Sequence, residues 1–482
     1  MMTLLILLFP LLGSLLVYGI GNQLASRVAL AASLIQLGIT AFVYTQFKAQ
    51  GADAFYIFQE WISNPKVSFH VGIDGLTLVM LALTNFLTPL IILSAFNRAI
   101  HTPKTYFALI LLMQFALNGV FMAYDGLLYY IFWELALIPI YFIALGWGGA
   151  NKVRITIKFF IYTMGGSLLM LFGFISLYFL SSTSSFNIQD LYNANICECN
   201  QGWLFWMFFI AFAIKIPIIP FHTWQADTYS VAPTQGTMLL SGIMLKMGTY
   251  SLIRWLLPIL PAGIAAWGPL AITLSVAGIV YASIIAIMHN DLKKLFAYSS
   301  LAHVGLIAAG IFALNNEGMQ GSVVQMFAHG VNIIGLFFCA DIIINRTQTT
   351  SISSLGGIRN VAPRFNTFFV IIVLASVALP LTNGFIGEFL LLFGVYKYNT
   401  WLAVFAVLTI ILSATYMLRM LQNTMYGNTN ELTQSFTDLN WSESIVLGVI
   451  AVTIIVMGIY PKPLFDLAQP TIEIILNKAL AK

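Results

Sequence analysis

The chain has 482 residues, 60% hydrophobic and only 8% charged, with a formal net charge of +4 and a mean hydropathy of +0.90. Soluble globular proteins carry about 25% charged residues, so a soluble fold is excluded. The sequence reads as an all-α polytopic membrane protein. The net charge by itself points to no nucleic-acid partner, and the placement of the charges carries more information.

A membrane crossing needs about 20 apolar residues. In chain order, fourteen such runs are predicted, at 2–20, 28–47, 75–96, 105–124, 126–148, 156–180, 203–221, 236–257, 264–288, 297–315, 320–345, 365–395, 400–422 and 443–461. The first run has neither a basic start nor a cleavage site, so it reads as a helix that stays rather than a signal peptide. The connection 48–72 holds Asp53, Glu60, Trp61 and Lys66. The polar stretch 222–235 is short enough to be re-entrant. The tail 463–482 alternates apolar and charged residues, as an interfacial helix does.

Lys and Arg set the orientation. With the N-terminus outside, twelve fall in inner loops: Arg27, Arg98, Lys104, Lys152, Arg154, Lys158, Lys293, Lys294, Arg346, Arg359, Arg364 and Arg419. Seven fall outside: Lys48, Lys66, Arg254, Lys397, Lys462, Lys478 and Lys482. Both termini are therefore expected on the outer side.

The remaining two, Lys215 and Lys246, lie inside apolar runs. A lysine at that depth costs at least about 2.5–3.5 kcal/mol on insertion scales, so it is rare without a role. Span 7 places Lys215 two residues before Pro217, with Pro220 following. Each proline lacks an N–H, so the carbonyls of Ala213 and Ile216 are expected to lose helical partners. Span 12 repeats the theme, with Pro380, Gly384 and Gly387 interrupting an apolar run just before Glu388. Broken backbone at membrane depth is tolerated only beside protein or water. Two broken spans five apart, in opposite orientation, suit an inverted repeat with a midplane site.

Six ionisable residues are singled out inside spans: Glu134, Lys215, Lys246, His303, His329 and Glu388. Pro139 follows Glu134 and is expected to free the carbonyl of Leu135. Gln325, His329 and Asn332 are spaced to share one helix face, where they either relay protons or bind helices together. Glu134 with Lys215 reads either as an ion pair that fixes packing or as a pair that titrates. Lys246 has no evident partner on its own helix, and His222 is a further candidate. As a set they suit a proton path, because desolvation moves lysine and glutamate toward physiological pH from opposite sides. Cys197, Cys199 and Cys339 form no metal pattern, and Cys197 and Cys199 read as two incidental loop thiols. No nucleotide-binding loop or redox-cofactor motif is present.

Three segments together are specific. Lys215-Ile-Pro217-Ile-Ile-Pro220-Phe-His222-Thr-Trp224 is followed by Ala232-Pro233-Thr234 and Leu245-Lys246-Met-Gly248-Thr-Tyr250. Asp291-Leu-Lys293-Lys294-Leu-Phe-Ala-Tyr298-Ser299-Ser300-Leu-Ala-His303-Val-Gly305 comes later. Over most of its length the chain resembles the antiporter-like subunits of respiratory complex I. It departs after Trp224, where Gln225-Ala-Asp227 stands in place of a common proline. Glu388, where related subunits usually carry lysine, resembles the M-type branch (mitochondrial subunit 4 type), as does the lack of the L-type branch's extra C-terminal helices.

The resemblance implies fourteen core helices with discontinuous helices 7 and 12. Two inverted five-helix repeats would occupy 105–257 and 258–422, flanked by 1–104 and 423–482. It implies proton translocation in a bacterial inner membrane, with both termini periplasmic and no cofactor in this chain. FMN and iron–sulfur clusters would sit in partner subunits, and neighbouring membrane subunits would be its partners. Glu134 and Lys215 would form a modulating pair, Lys246 and His303 the central relay, His329 a link and Glu388 the distal site. The competing classes are a cation/proton antiporter subunit and a membrane-bound hydrogenase subunit.

Overall fold

The structure is a computed structural model that describes residues 2–480. Met1 lies outside the described residues, as do Ala481 and Lys482 at the end of the predicted tail. Among the described residues, eleven helices are long and apolar enough to cross a membrane: Met2–Gly19, Ala25–Gln50, Gly75–Ser94, Pro103–Met122, Gly126–Trp147, Lys152–Leu180, Pro261–Met288, Leu292–Phe312, Asn316–Thr347, Thr400–Met425 and Trp441–Ile459. They occupy predicted spans 1–6, 9–11, 13 and 14, and the span numbers are kept here. The three other predicted spans, 7, 8 and 12, fall on segmented helices, so the count of fourteen depends on treating each of these as one crossing.

Six of these eleven helices start with a side-chain cap. Asp74, Asp125, Asp291, Asn315 and Asn399 each accept a backbone N–H from the first turn of spans 3, 5, 10, 11 and 13. Asn440 and Glu443 form a reciprocal capping box at span 14. Such caps satisfy donors that the helix leaves orphaned.

Span 7 is the helix Glu198–Lys215, an irregular stretch, and the helix Gln225–Val231. The stretch 222–235 is thus mostly the second half of span 7 rather than a re-entrant loop. The Ala213 carbonyl is not orphaned as expected, because it accepts the Ile218 N–H at 2.8 Å. The indole of Trp224 donates to the Ile214 carbonyl at 2.9 Å, tying the second half back to the first. Span 5 runs through Pro139 without a break.

Span 12 is the helix Pro363–Ser376, a break at 377–382, and the helix Asn383–Tyr398. Ala378 and Leu381 take positive φ of 56° and 73° within the break. Pro380 belongs to this break. Gly384 and Gly387, expected there too, instead lie in the second helix, where the absence of a side chain permits close approach. A Cβ on Gly384 would sit 2.3 Å from the Ala375 carbonyl oxygen, and one on Gly387 would sit 2.3 Å from Gln325 Oε1.

Span 8 covers 234–259 with two π-helical stretches, Leu240–Met244 and Leu252–Leu256, on either side of Lys246. Such one-turn π segments cluster at functional sites. The second half of span 12 packs against spans 10 and 11, and span 8 packs on span 11.

Loop 48–72 contains an antiparallel hairpin, Ile57–Ile62 with Val67–Val71, an exception to the all-helical expectation. The Asp125 carboxylate accepts from both the Ser68 N–H and hydroxyl, which fastens the hairpin to the start of span 5. The tail is the helix Lys462–Leu480. Its buried Leu467, Ala468, Ile472, Ile475 and Ala479 recur at helical spacing, and it lies against spans 3, 8 and 11. Cys197 and Cys199 are joined by a disulfide rather than standing as separate thiols, while Cys339 is free and buried.

Candidate functional site

The site begins where spans 8 and 11 touch backbone to backbone. A Cβ on Gly330 would lie 2.9 Å from the Gly242 carbonyl oxygen. That approach brings Lys246, one turn beyond Gly242, against His329. Lys246 Nζ stands 2.8 Å from His329 Nδ1 and donates to the Ser241 carbonyl at 2.7 Å. Lys246 therefore has a partner on its own helix, contrary to the sequence expectation. The partner carbonyl lies five residues back, inside the first π segment, where pattern rules based on i, i+4 do not look.

From His329 the polar row continues. The rings of His329 and His303 are 6.1 Å apart between centroids. His303 Nδ1 lies 2.9 Å from Glu388 Oε1, a close contact without hydrogen-bond alignment, since both ring nitrogens of His303 lack a partner among the described residues. Gln325 Nε2 donates to the same carboxylate oxygen at 3.3 Å. Asn332 donates to the Ala375 carbonyl at 3.3 Å, beside the break of span 12. Gln325, His329 and Asn332 do share one face, as their spacing indicates. With Ser299, His303 and Glu388 they line a cavity of about 10 Å³, which is room for about one water.

Lys246, His329, His303 and Glu388 are all at least 95% buried. Carboxyl, imidazole and amine groups in one row with orphaned polar atoms can exchange protons through single-water steps. Such a row also costs stability unless its groups are satisfied.

Glu134 and Lys215 do not meet. No ion pair within 4.0 Å joins them among the described residues. Lys215 is buried with its ammonium over the Trp133 ring, 5.3 Å from the centroid. That ring also lies against Phe212, at 5.9 Å. Glu134, the next residue on span 5, is half-buried and lies near Lys215 without an ion-pair contact. Its Oε1 has no hydrogen-bond partner among the described residues. His222 contacts Tyr281 of span 9, Nε2 to hydroxyl at 3.3 Å, rather than the central row.

The sequence reading missed a second buried charge group. Arg254, counted above among the outer charges, is buried in span 8. Its Nη2 bridges both oxygens of Asp74 at 2.6 and 2.7 Å, and its Nε donates to the Tyr250 hydroxyl at 3.1 Å. At the opposite end Asp341 of span 11 pairs with Arg98 at 2.5 Å and accepts from Thr234 at 2.6 Å. Asp341 lies inside an apolar run, which is a signal the sequence offered. Asp74 sits at a helix cap, where a carboxylate needs no special role.

Comparison with known proteins decides the family. A model described as the membrane region of NADH:quinone oxidoreductase and Mrp antiporters matches residues 123–413. NADH-quinone oxidoreductase subunit M of Rickettsia typhi is 38% identical over 463 residues, covering 95% of this chain and 93% of that protein. The chain belongs to this family of antiporter-like membrane subunits. NADH-ubiquinone oxidoreductase chain 4 of Arabidopsis thaliana is 35% identical over 97% of this chain and 95% of its own length. Among solved structures, a chain of respiratory complex I from Thermus thermophilus with bound NADH superposes with a TM-score of 0.93 at 28% identity, over the full length of both chains. The Mrp complex of Dietzia superposes with a TM-score of 0.84 at 18% identity over 52% of its chain, a likeness of fold. The family likeness is to the subunit M and chain 4 type, in agreement with the reading of Glu388.

Proposed function

We propose that this chain is a proton-translocating subunit of an NADH:quinone oxidoreductase. It would carry protons while the redox chemistry proceeds in partner subunits that hold FMN and iron–sulfur clusters. The observation that carries the reading is the buried row Lys246, His329, His303 and Glu388, the last three of which line a one-water cavity with Gln325. No packing need explains so many ionisable groups in one apolar interior, because apolar residues of similar volume would stabilise it as well or better.

In this reading Lys246 takes and releases the proton, and His329 and His303 pass it toward Glu388. Lys215 acts through the field at Lys246, modulated by the half-buried Glu134 rather than by a direct contact. The residues 105–257 and 258–422 would be inverted five-helix repeats, each built around one broken span, with 1–104 and 423–482 as flanking segments. The excess of Lys and Arg in the inner loops supports a periplasmic side for both termini, in a bacterial inner membrane.

Purification in mild detergent tests the assignment. Copurifying flavin and iron–sulfur proteins support it. A nickel–iron protein in the same particle, or a particle without redox proteins, would replace it with a hydrogenase or an antiporter.

A further inference from the structure

The central cavity has a polar connection that the row above does not use. Ser299 lines the cavity with His303 and Glu388. The hydroxyl of Tyr416, from span 13, donates to Ser299 Oγ at 3.1 Å. Tyr416 is buried, yet it also lines a second cavity of about 190 Å³ with His289, Asn290, Arg419 and Asn423. Arg419 and Asn290 are exposed, so this second cavity reaches the surface. It does so on the face that carries Lys293 and Lys294. One hydroxyl-to-hydroxyl bond thus joins a residue in the wall of the open polar vestibule to a residue in the wall of the Glu388 cavity.

We propose that Tyr416 and Ser299 form the proton inlet of the second half of the chain, linking the vestibule at Arg419 to Glu388. This rests on the reading of the chain as a proton translocator. The step moves one proton. Vestibule water gives a proton to the Tyr416 oxygen as the Tyr416 O–H bond breaks toward Ser299 Oγ. The Ser299 O–H bond breaks in turn toward the cavity, where the carboxylate of Glu388 is the acceptor. Each hydroxyl ends with one hydrogen, and rotation of both resets the pair. Hydroxyls suit the position because each is donor and acceptor at once. They also transmit a proton without adding another buried charge. The alternative is that the bond merely staples span 13 to span 10.

The intact complex, reconstituted in vesicles with a pH-sensitive dye, separates the two. Tyr416→Phe keeps the ring and its packing and removes only the hydroxyl. It is expected to leave NADH-driven quinone reduction measurable while lowering the protons moved per electron. Ser299→Ala is expected to do the same, the double variant to be no worse than either single, and Ser299→Thr to restore the wild-type ratio. A staple would show none of this pattern. Wild-type ratios in both single variants, or a Ser299→Thr variant as deficient as Ser299→Ala, overturn the inlet. If Tyr416→Phe does not assemble, Ser299→Ala and Ser299→Thr decide by the same ratio. Lys246→Ala is run alongside. If it pumps normally, the translocator reading itself fails. If it stops pumping while Tyr416→Phe and Ser299→Ala pump normally, only the inlet fails.

Discussion

Lys246 and His329 stand 2.8 Å apart because two glycines, Gly242 and Gly330, leave no side chain between spans 8 and 11. The contact therefore depends on backbone approach as much as on the two ionisable groups. Gly330→Val would place its Cβ against the Gly242 carbonyl and push the spans apart. Overpacking of this kind costs about 1–3 kcal/mol. The expected outcome is a lower melting temperature for the purified complex together with a loss of proton pumping. An unchanged proton-to-electron ratio would show that the Lys246–His329 contact carries no protons.

Lys246→Ala is expected to assemble and to lose most coupled turnover. It removes a buried amine, which packing tolerates, but it also strips a donor from the Ser241 carbonyl. An unpaired buried acceptor costs about 1–3 kcal/mol, so a modest fall in thermal stability should accompany the functional loss. Thermal unfolding and NADH-driven proton uptake, measured on one preparation, check both parts.

Glu134 and Lys215 should couple through the field rather than through contact. Without an ion pair within 4.0 Å, Glu134→Gln and Lys215→Met should show a modest coupling in stability, about 0.5–3 kcal/mol. A coupling energy well above that, from a double-mutant cycle on the assembled complex, would require the direct pair that this structure lacks. Function should respond too, because a field acts beyond contact distance. Each single variant should slow turnover.

Glu388 accepts from Gln325 and touches His303, so Glu388→Gln keeps an oxygen for Gln325 but loses the charge. Proton pumping should fall. Glu388→Lys should be milder, because a lysine facing His303 would repeat the arrangement that Lys246 already makes with His329. If Glu388→Lys proves the worse variant, the acidic charge itself has a role. If Glu388→Gln pumps like wild type, the row ends before Glu388.

Outside the membrane, burial holds the His70 imidazole below its ordinary value of 6.5. His70 Nδ1 lies 2.9 Å from the Asn187 side-chain nitrogen, which requires a neutral ring that accepts. A depressed histidine contributes stability above the unfolded value and loses it as pH falls below that value. The hairpin should therefore loosen below about pH 6.5. Hydrogen exchange at Val67–Val71 should speed up on acidification in wild type and respond less in His70→Gln.

The amino-acid order alone determined that this is a helical membrane protein, and it marked nearly every helix. It also showed that spans 7 and 12 break and that charged groups lie at membrane depth. These follow from local physics: the apolar length needed to cross a bilayer, the missing N–H of proline, and the penalty on a charge in hydrocarbon. The hairpin carries a local signal too, apolar and β-prone residues on either side of Asn64-Pro65. Only the tertiary structure decided which groups meet. Spacing along one helix fixes a face but says nothing of what lies opposite. His303 with Glu388, Arg254 with Asp74, and Tyr416 with Ser299 join segments 85, 180 and 117 residues apart. Their meeting depends on glycine contacts and side-chain rotations that no local rule contains. For the same reason the sequence could not tell that Lys215 would lie over the Trp133 ring without an ion-pair contact to Glu134.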